Sequence, residues 1–341
     1  MNSRQFLAVG LAGLASYGLA SNTEAALSLA YQFNGKGNWS IDAVGSNNTP
    51  VGSISAEVPV GSTVVRAFLY SSQYAFSDTT VVPTVSFAGN VISGAAWTAL
   101  GDFNPVGPGF ALGGYRADVT GIVSGLVGAG SAVPFSFDVD SEDPNESIDG
   151  EVLAIVYSNP AESERTIAFL DGFSTSLGDS TSVDLADPLT SDQLTDPDFE
   201  VQLSLGIGFG FQPSSQFSTV DINGTRLTSS AGSFDDGEAA NGALITAGGL
   251  GDSLGNPADP NDNASPDDEL YSLLPFLAAG DTQIVIETEN PSLDDNIFFA
   301  GINITAEADV RPPGVPEHGG TFALLGLALL GLAKARRHAA K

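Results

Sequence analysis

Acidic side chains supply most of the reactive groups in this chain of 341 residues, where 41 Asp and Glu face only 11 Lys and Arg. They come in runs. The first is Asp138, Asp140, Glu142, Asp143, Glu146, Asp149 and Glu151, and the second is Asp235, Asp236 and Glu238, followed by Asn241. The third joins Asp252, Asn256, Asp259, Asn261, Asp262 and Asn263 to Asp267, Asp268 and Glu269, and a short fourth is Asp294-Asp295-Asn296. Crowded carboxylates repel each other, and calcium, a hard oxygen-seeking cation, relieves that repulsion in β-protein loops. The third run alternates Asp and Asn with Pro and Gly, which makes Asp252, Asp259, Asp262, Asp267 and Asp268 the candidate Ca2+ ligands. The other reading is a solvated acidic loop that keeps the protein soluble. The first run imitates a calcium loop, with Asp138, Asp140, Glu142 and Asp149 at positions 1, 3, 5 and 12. Its sixth position should be glycine but is Asp143, followed by Pro144, and no helical pattern flanks it, so an EF-hand is excluded.

Other chemistries are ruled out by composition. There is no cysteine, so neither a disulfide framework nor a thiolate metal site exists. The only histidines, His318 and His338, lie in the last two dozen residues. The rest of the chain therefore has no Ser-His-Asp or Cys-His catalysis and no histidine-ligated zinc or iron. Between Leu27 and Val315 the cations are Lys36, Arg66, Arg116, Arg165, Arg226 and Arg311, against 39 acidic residues (Glu24 and Glu317 lie outside), a formal net charge of −33. Such a surface repels nucleic acid. Two carboxylates suffice for a glycoside hydrolase or lyase, and Trp39, Trp97, Tyr70, Tyr74 and Tyr115 offer rings on which a sugar could stack. The bland reading of those aromatics is core packing, and the non-enzymatic reading of the chain is a structural protein.

These residues must be held by strands. Short runs rich in Val, Ile, Phe, Thr and Tyr recur between Gly, Pro, Asn and Asp: Thr63–Tyr70, Val133–Asp140, Val152–Tyr157, Thr166–Leu170, Phe199–Gly210, Thr282–Glu287 and Asn296–Thr305. Alternation at Phe135, Phe137 and Val139 implies one face on a core and one in water. The one helical period is Asp267–Leu277, where Leu270, Leu273 and Leu274 could share a face. The expectation is an all-β chain, a β-sandwich or jelly-roll-like module with long acidic loops, over residues 27–312. The acidic, Pro-punctuated stretch Asp184–Asp198 is either a division between two modules or a long loop within one. No internal repeat points to a solenoid or propeller.

Both ends carry apolar segments. Arg4 and the apolar stretch Phe6–Ala20, followed by Thr23-Glu24-Ala25, predict a secretory signal peptide over residues 1–26, cut after Ala20, Ala25 or Ala26. At the other end Val315-Pro316-Glu317-His318-Gly319-Gly320 precedes the apolar run Thr321–Ala333, and Lys334, Arg336 and Arg337 follow at once. A helix over 321–333 would be about 20 Å long, short for a bilayer core of about 30 Å. The cations beyond it stay cytoplasmic under the positive-inside rule. This tail, residues 313–341, closely resembles the PEP-CTERM sorting signal of Gram-negative bacteria, which is read by exosortase, a membrane-bound processing enzyme. The matching residues are Val315, Pro316, Glu317, the run Phe322–Leu332, Arg336 and Arg337, while His318 replaces the motif's second proline. The resemblance implies export through the secretion translocon, transient inner-membrane insertion, cleavage near Pro316–His318 by an exosortase-type enzyme, and release or attachment at the cell surface, where exopolysaccharide is a partner.

A second, less specific resemblance covers most of the chain between the two ends. Asp149–Gly172, Asn223–Thr228, Asn241–Thr246, Asp267–Tyr271 and Asn290–Phe298 resemble uncharacterised β-rich exported proteins that accompany such tails. It implies one module and transfers no catalytic role.

Overall fold

A computed structural model describes residues 27–47, 49–103, 107–141, 147–172, 178–210, 218–232, 244–252, 269–293 and 295–311. The predicted signal peptide, the helix over 321–333 and the sorting residues Val315, Pro316, Glu317, Arg336 and Arg337 lie outside the described residues. The chain is all-β. Its strands are, in order, β1 (Ser28–Gly45), β2 (Val51–Ala56), β3 (Thr63–Ala75), β4 (Val85–Phe87), β5 (Asn90–Ile92), β6 (Trp97–Phe103), β7 (Ala111–Asp118) and β8 (Phe135–Asp140). Next come β9 (Ile148–Ser158), β10 (Glu164–Asp171), β11 (Asp179–Leu185), β12 (Val201–Gly208), β13 (Ser218–Ile222) and β14 (Thr225–Ala231). The last are β15 (Ile245–Ala247), β16 (Leu270–Ser272), β17 (Gln283–Glu289), β18 (Asn296–Ile304) and β19 (Ala308–Arg311). Two short helices, α1 (Thr120–Val127) and α2 (Ser191–Thr195), interrupt them.

The strands form three antiparallel sheets of ten, five and four strands. The largest is bent back on itself at β1. Residues Ser28–Lys36 of β1 pair with β10, whereas Gly37–Gly45 pair with β9. The corner lies at Gly35 and Gly37. A Cβ on Gly37 would sit 2.1 Å from the Tyr157 carbonyl oxygen, and Gly35 has a φ of +153°. Only glycine lets one strand serve both arms there. One arm is β15-β12-β18-β10, and the other is β9-β3-β7-β6. They face each other over a core that contains Tyr70 and Val152 from one arm and Ile167 and Phe299 from the other. The Tyr70 and Phe299 rings meet with centroids 5.0 Å apart.

Each arm also buries its outer face. The five-stranded sheet β14-β13-β17-β11-β19 packs on the first, where Val183, Val220 and Ile286 meet Leu170, Leu203 and Ile302. The four-stranded sheet β2-β8-β4-β5 and α1 pack on the second, where Ile54, Phe87, Phe137 and Val123 meet Leu69, Leu153 and Ile155. The result is four layers and three cores. Strands covered on both faces tend to continuous apolar runs, and β9, β10 and β18 carry them at Val152–Tyr157, Ile167–Leu170 and Ile297–Ile302. In the outer layer β8 alternates, with Phe137 and Val139 buried and Ser136 and Asp138 exposed.

The expected helical face at Leu270, Leu273 and Leu274 is corrected. Leu270–Ser272 is a strand paired with β12, and a 3-10 turn covers Leu274–Phe276. Pro275 has no amide hydrogen for a helix interior, and Tyr271 and Leu273 bury instead against the five-stranded sheet. In the stretch 184–198, Leu185 and Leu189 join the same core as Phe199 and Val201, and Thr190 and Gln193 close a capping box on α2.

Candidate functional site

Members of three of the acidic runs are buried among the described residues: Asp149 and Glu151 of the first, Glu269 of the third and Asp295 of the fourth. A register shift where Asp149 of β9 passes β3 re-aims its carboxylate into the gap between the arms. There Oδ2 accepts a hydrogen bond from Ser72 Oγ at 2.9 Å and another from the backbone N–H of Phe209. Gly208 admits this contact, because a Cβ there would fall 1.8 Å from Ser72 Oγ and 3.1 Å from Asp149 Oδ2. Asn296 of β18 pairs directly with Gly208, and cross-strand partners share a face, so its amide also enters the gap. Asp149 Oδ1 and both amide atoms of Asn296 are buried without a hydrogen-bond partner.

Glu151, two residues along, turns into the other interlayer. Ser46 Oγ donates to its Oε2 at 2.7 Å, and Ser141 Oγ lies 3.0 Å from Oε1. Two more carboxylates are buried elsewhere in the described residues. Glu269 accepts from the Gly232 N–H and the Tyr271 hydroxyl, both at 2.5 Å. Asp295 accepts from Ser218 Oγ at 2.8 Å and Ser292 Oγ at 3.1 Å. Asp149, Glu151, Glu269 and Asp295 are all 0% exposed. Burial pushes Asp149 up to about 8 and Glu151 up to about 7, the hydroxyl and N–H donors offsetting only part of it. Burial likewise lifts Asp42 to about 6, against the pull of the Ser55 N–H.

Aromatic rings lie at the surface as well. Tyr74, Phe76, Phe110 and Phe209 form one cluster with centroids 5.3–6.3 Å apart, and Phe76 is 84% exposed. Phe209 holds its place with a φ of +58°, a left-handed conformation that costs about 1–2 kcal/mol for a side chain with a Cβ. Deeper between the arms, Arg116 of β7 pairs with Asp171 of β10, which also accepts from the Tyr70 hydroxyl at 3.3 Å. Arg116 lies 5.0 Å from the centre of the Phe68 ring.

Of the candidate calcium ligands, Asp252 accepts from the Gly249 N–H at 2.7 Å and closes the turn after β15. Asp259, Asp262, Asp267 and Asp268 lie outside the described residues. Among the described residues no three His, Cys, Asp or Glu side chains come close enough to share a metal ion. Among the ring candidates, Tyr70, Trp97 and Tyr115 are buried, and half-buried Trp39 stacks on Phe169 across the glycine face of Gly301. Tyr74 alone reaches the surface cluster. Phe76 and Phe110 escaped the sequence reading, although Tyr74 and Phe76 alternate just before Ser77-Asp78, as surface rings at a strand end do.

The geometry limits the chemistry. Asp149 and Glu151 point to opposite sides of β9, so they cannot flank one scissile bond. The Ser72–Asp149 and Ser46–Glu151 pairs resemble nucleophile and base but are shut away from solvent. All five arginines between Leu27 and Arg311 engage carboxylates, which leaves an outer surface dominated by acids. No protein-family model matches the chain, and no curated protein matches it significantly.

Proposed function

We propose that this chain is an exported, non-enzymatic component of the cell surface or extracellular matrix, a β-sandwich module delivered by a PEP-CTERM-type tail. The secretion translocon and an exosortase-type enzyme are its processing partners, and exopolysaccharide is its partner outside the cell. The observation that carries this reading is the internal use of its chemistry. The buried carboxylates are occupied by hydroxyls and backbone N–H groups, and the arginines by carboxylates. Among the described residues, acidic charge and the cluster of Tyr74, Phe76, Phe110 and Phe209 face outward. Fractionation of native cells tests it: the chain belongs in the surface or extracellular fraction, and removal of residues 313–341 traps it earlier in export. Recovery of the untruncated chain in the cytosol refutes the reading.

The aromatic cluster favours a second reading, a glycan-binding module. Exposed rings stack on the apolar faces of sugars, and the acidic surface restricts the partner to a neutral or cationic polysaccharide. Phe76→Ala would then abolish retention on a polysaccharide column while the melting temperature stays unchanged. Equal retention of the variant removes this reading.

A further inference from the structure

Asp149 and Glu151 are fully buried, lie on opposite faces of one central strand, and no cation faces either of them among the described residues. Around Asp149 stand Ser72 of β3, Gly208 and the Phe209 N–H beyond β12, Ile245 of β15 and Asn296 of β18. Around Glu151 stand Val44 of β1, Ser46 just after it, Ser71 of β3 and Ser141 just after β8. The titratable groups acting on the pair are acids: Glu151 on Asp149, and Asp140 on Glu151. Asp42 of β1 shares the Glu151 face, two residues along the register. A carboxylate in such surroundings must be neutral or must drive the structure apart. The orphaned Oδ1 of Asp149, aimed into the gap that holds the unpartnered Asn296 amide, suits a carboxyl that carries a proton to donate.

We propose that Asp149 and Glu151 form a proton-operated joint in β9, which clamps the adjoining layers at the end remote from the glycine corner while both carboxyls are neutral and loosens that end when they ionise. Gly150 and Glu151 are laddered to β1 and β3, and two further backbone bonds flank them. Tyr74 N–H donates to the Ser147 carbonyl, and Ser46 N–H donates to the Asp149 carbonyl, both at 2.9 Å. Charge on both faces of β9 would strain these bonds together.

The sign follows from linkage. In the unfolded chain both groups titrate near 4, so above that pH the folded state holds protons that the unfolded state has released, and stability falls as pH rises. Each group lowers the folding constant about tenfold per pH unit until its folded pKa is passed, about 7 for Glu151 and about 8 for Asp149. Between pH 6 and 8 this amounts to about a thousandfold, of which about a hundredfold belongs to Asp149. Residues 27–311 contain no histidine or cysteine to titrate in this window, and Asp42, lifted to about 6, adds only about twofold at its lower edge.

Urea unfolding of the full-length chain at pH 6, 7, 8 and 9, followed by tryptophan fluorescence, tests the proposal. Wild type should lose stability steeply to pH 8 and then level off. Asp149→Asn should remove about a hundredfold of the change and Glu151→Gln about tenfold. A flat wild-type profile overturns the proposal, as does an unchanged slope in Asp149→Asn. If the variants fail to fold, infrared spectroscopy of the wild type decides: a protonated-carboxyl band at pH 6.5 that vanishes by pH 9 supports the joint, and its absence refutes it. A flat profile combined with loss of stability on chelation would show that a cation neutralises these groups instead.

Discussion

Replacing Arg116 by methionine should destabilise the protein in proportion to pH. Asp171 is 4% exposed, and burial already raises its pKa, with Arg116 as the chief opposing influence. Removing the guanidinium leaves a buried carboxylate with only the Tyr70 hydroxyl for company. Breaking such a pair from one side costs about 3–5 kcal/mol, because the remaining charge has lost its compensation. Protonation sets a ceiling on that loss. Neutralising a carboxyl that titrates near 3.9 in the unfolded chain costs about 1.4 kcal/mol for each pH unit above that value. The penalty is therefore at most about 4 kcal/mol at pH 7 and about 1.5 kcal/mol at pH 5. Loss of the contact with Phe68, for a partly exposed guanidinium, adds about 0.5–1 kcal/mol at both. Thermal melts of Arg116→Met at the two pH values should differ by several degrees relative to wild type, at about 2–4 °C per kcal/mol. The double variant Arg116→Met/Asp171→Asn should recover most of the loss at pH 7 and little at pH 5. A loss independent of pH, or a double variant no better than the single one, would refute the reasoning.

Two glycines should respond in opposite directions to alanine, as melting temperatures will show. Gly37→Ala places a methyl 2.1 Å from a backbone oxygen at the corner of β1 and should cost about 3 kcal/mol or prevent folding. Gly125→Ala, within α1 and with no atom inside 4 Å of the new methyl, should stabilise by about 0.5–1 kcal/mol. If the third acidic run binds calcium, the ion should raise the melting temperature of the protein and Asp252→Asn should blunt that rise. An unchanged melt removes the calcium reading.

The strand content was legible because alternation and continuous apolar runs both survive in the sequence. Phe137 and Val139 announced a half-wet strand, and Val152–Tyr157 announced a strand, which the structure buries on both sides. The bend of β1 was not legible, because Gly35 and Gly37 look like turn signals when nothing shows that Tyr157 passes within reach of a side chain. Leu270, Leu273 and Leu274 copied a helical spacing by chance, and pairing with β12 won over it. The hardest feature to foresee was the burial of two members of an acidic run. Asp138 points to water, while Asp149 and Glu151 go inside, and composition treats the three alike. One local signal did exist: Glu151 stands directly against Val152-Leu153-Ala154-Ile155-Val156, where a strand covered on both faces leaves no exit to solvent.

The central claim, an exported cargo delivered by a removable tail, meets its most direct test in the intact mass of the protein recovered from its native cells. The expected species begins after Ala20, Ala25 or Ala26, ends near Pro316–His318, and resides outside the cytosol. A cytosolic species of the full 34.8 kDa would contradict the account.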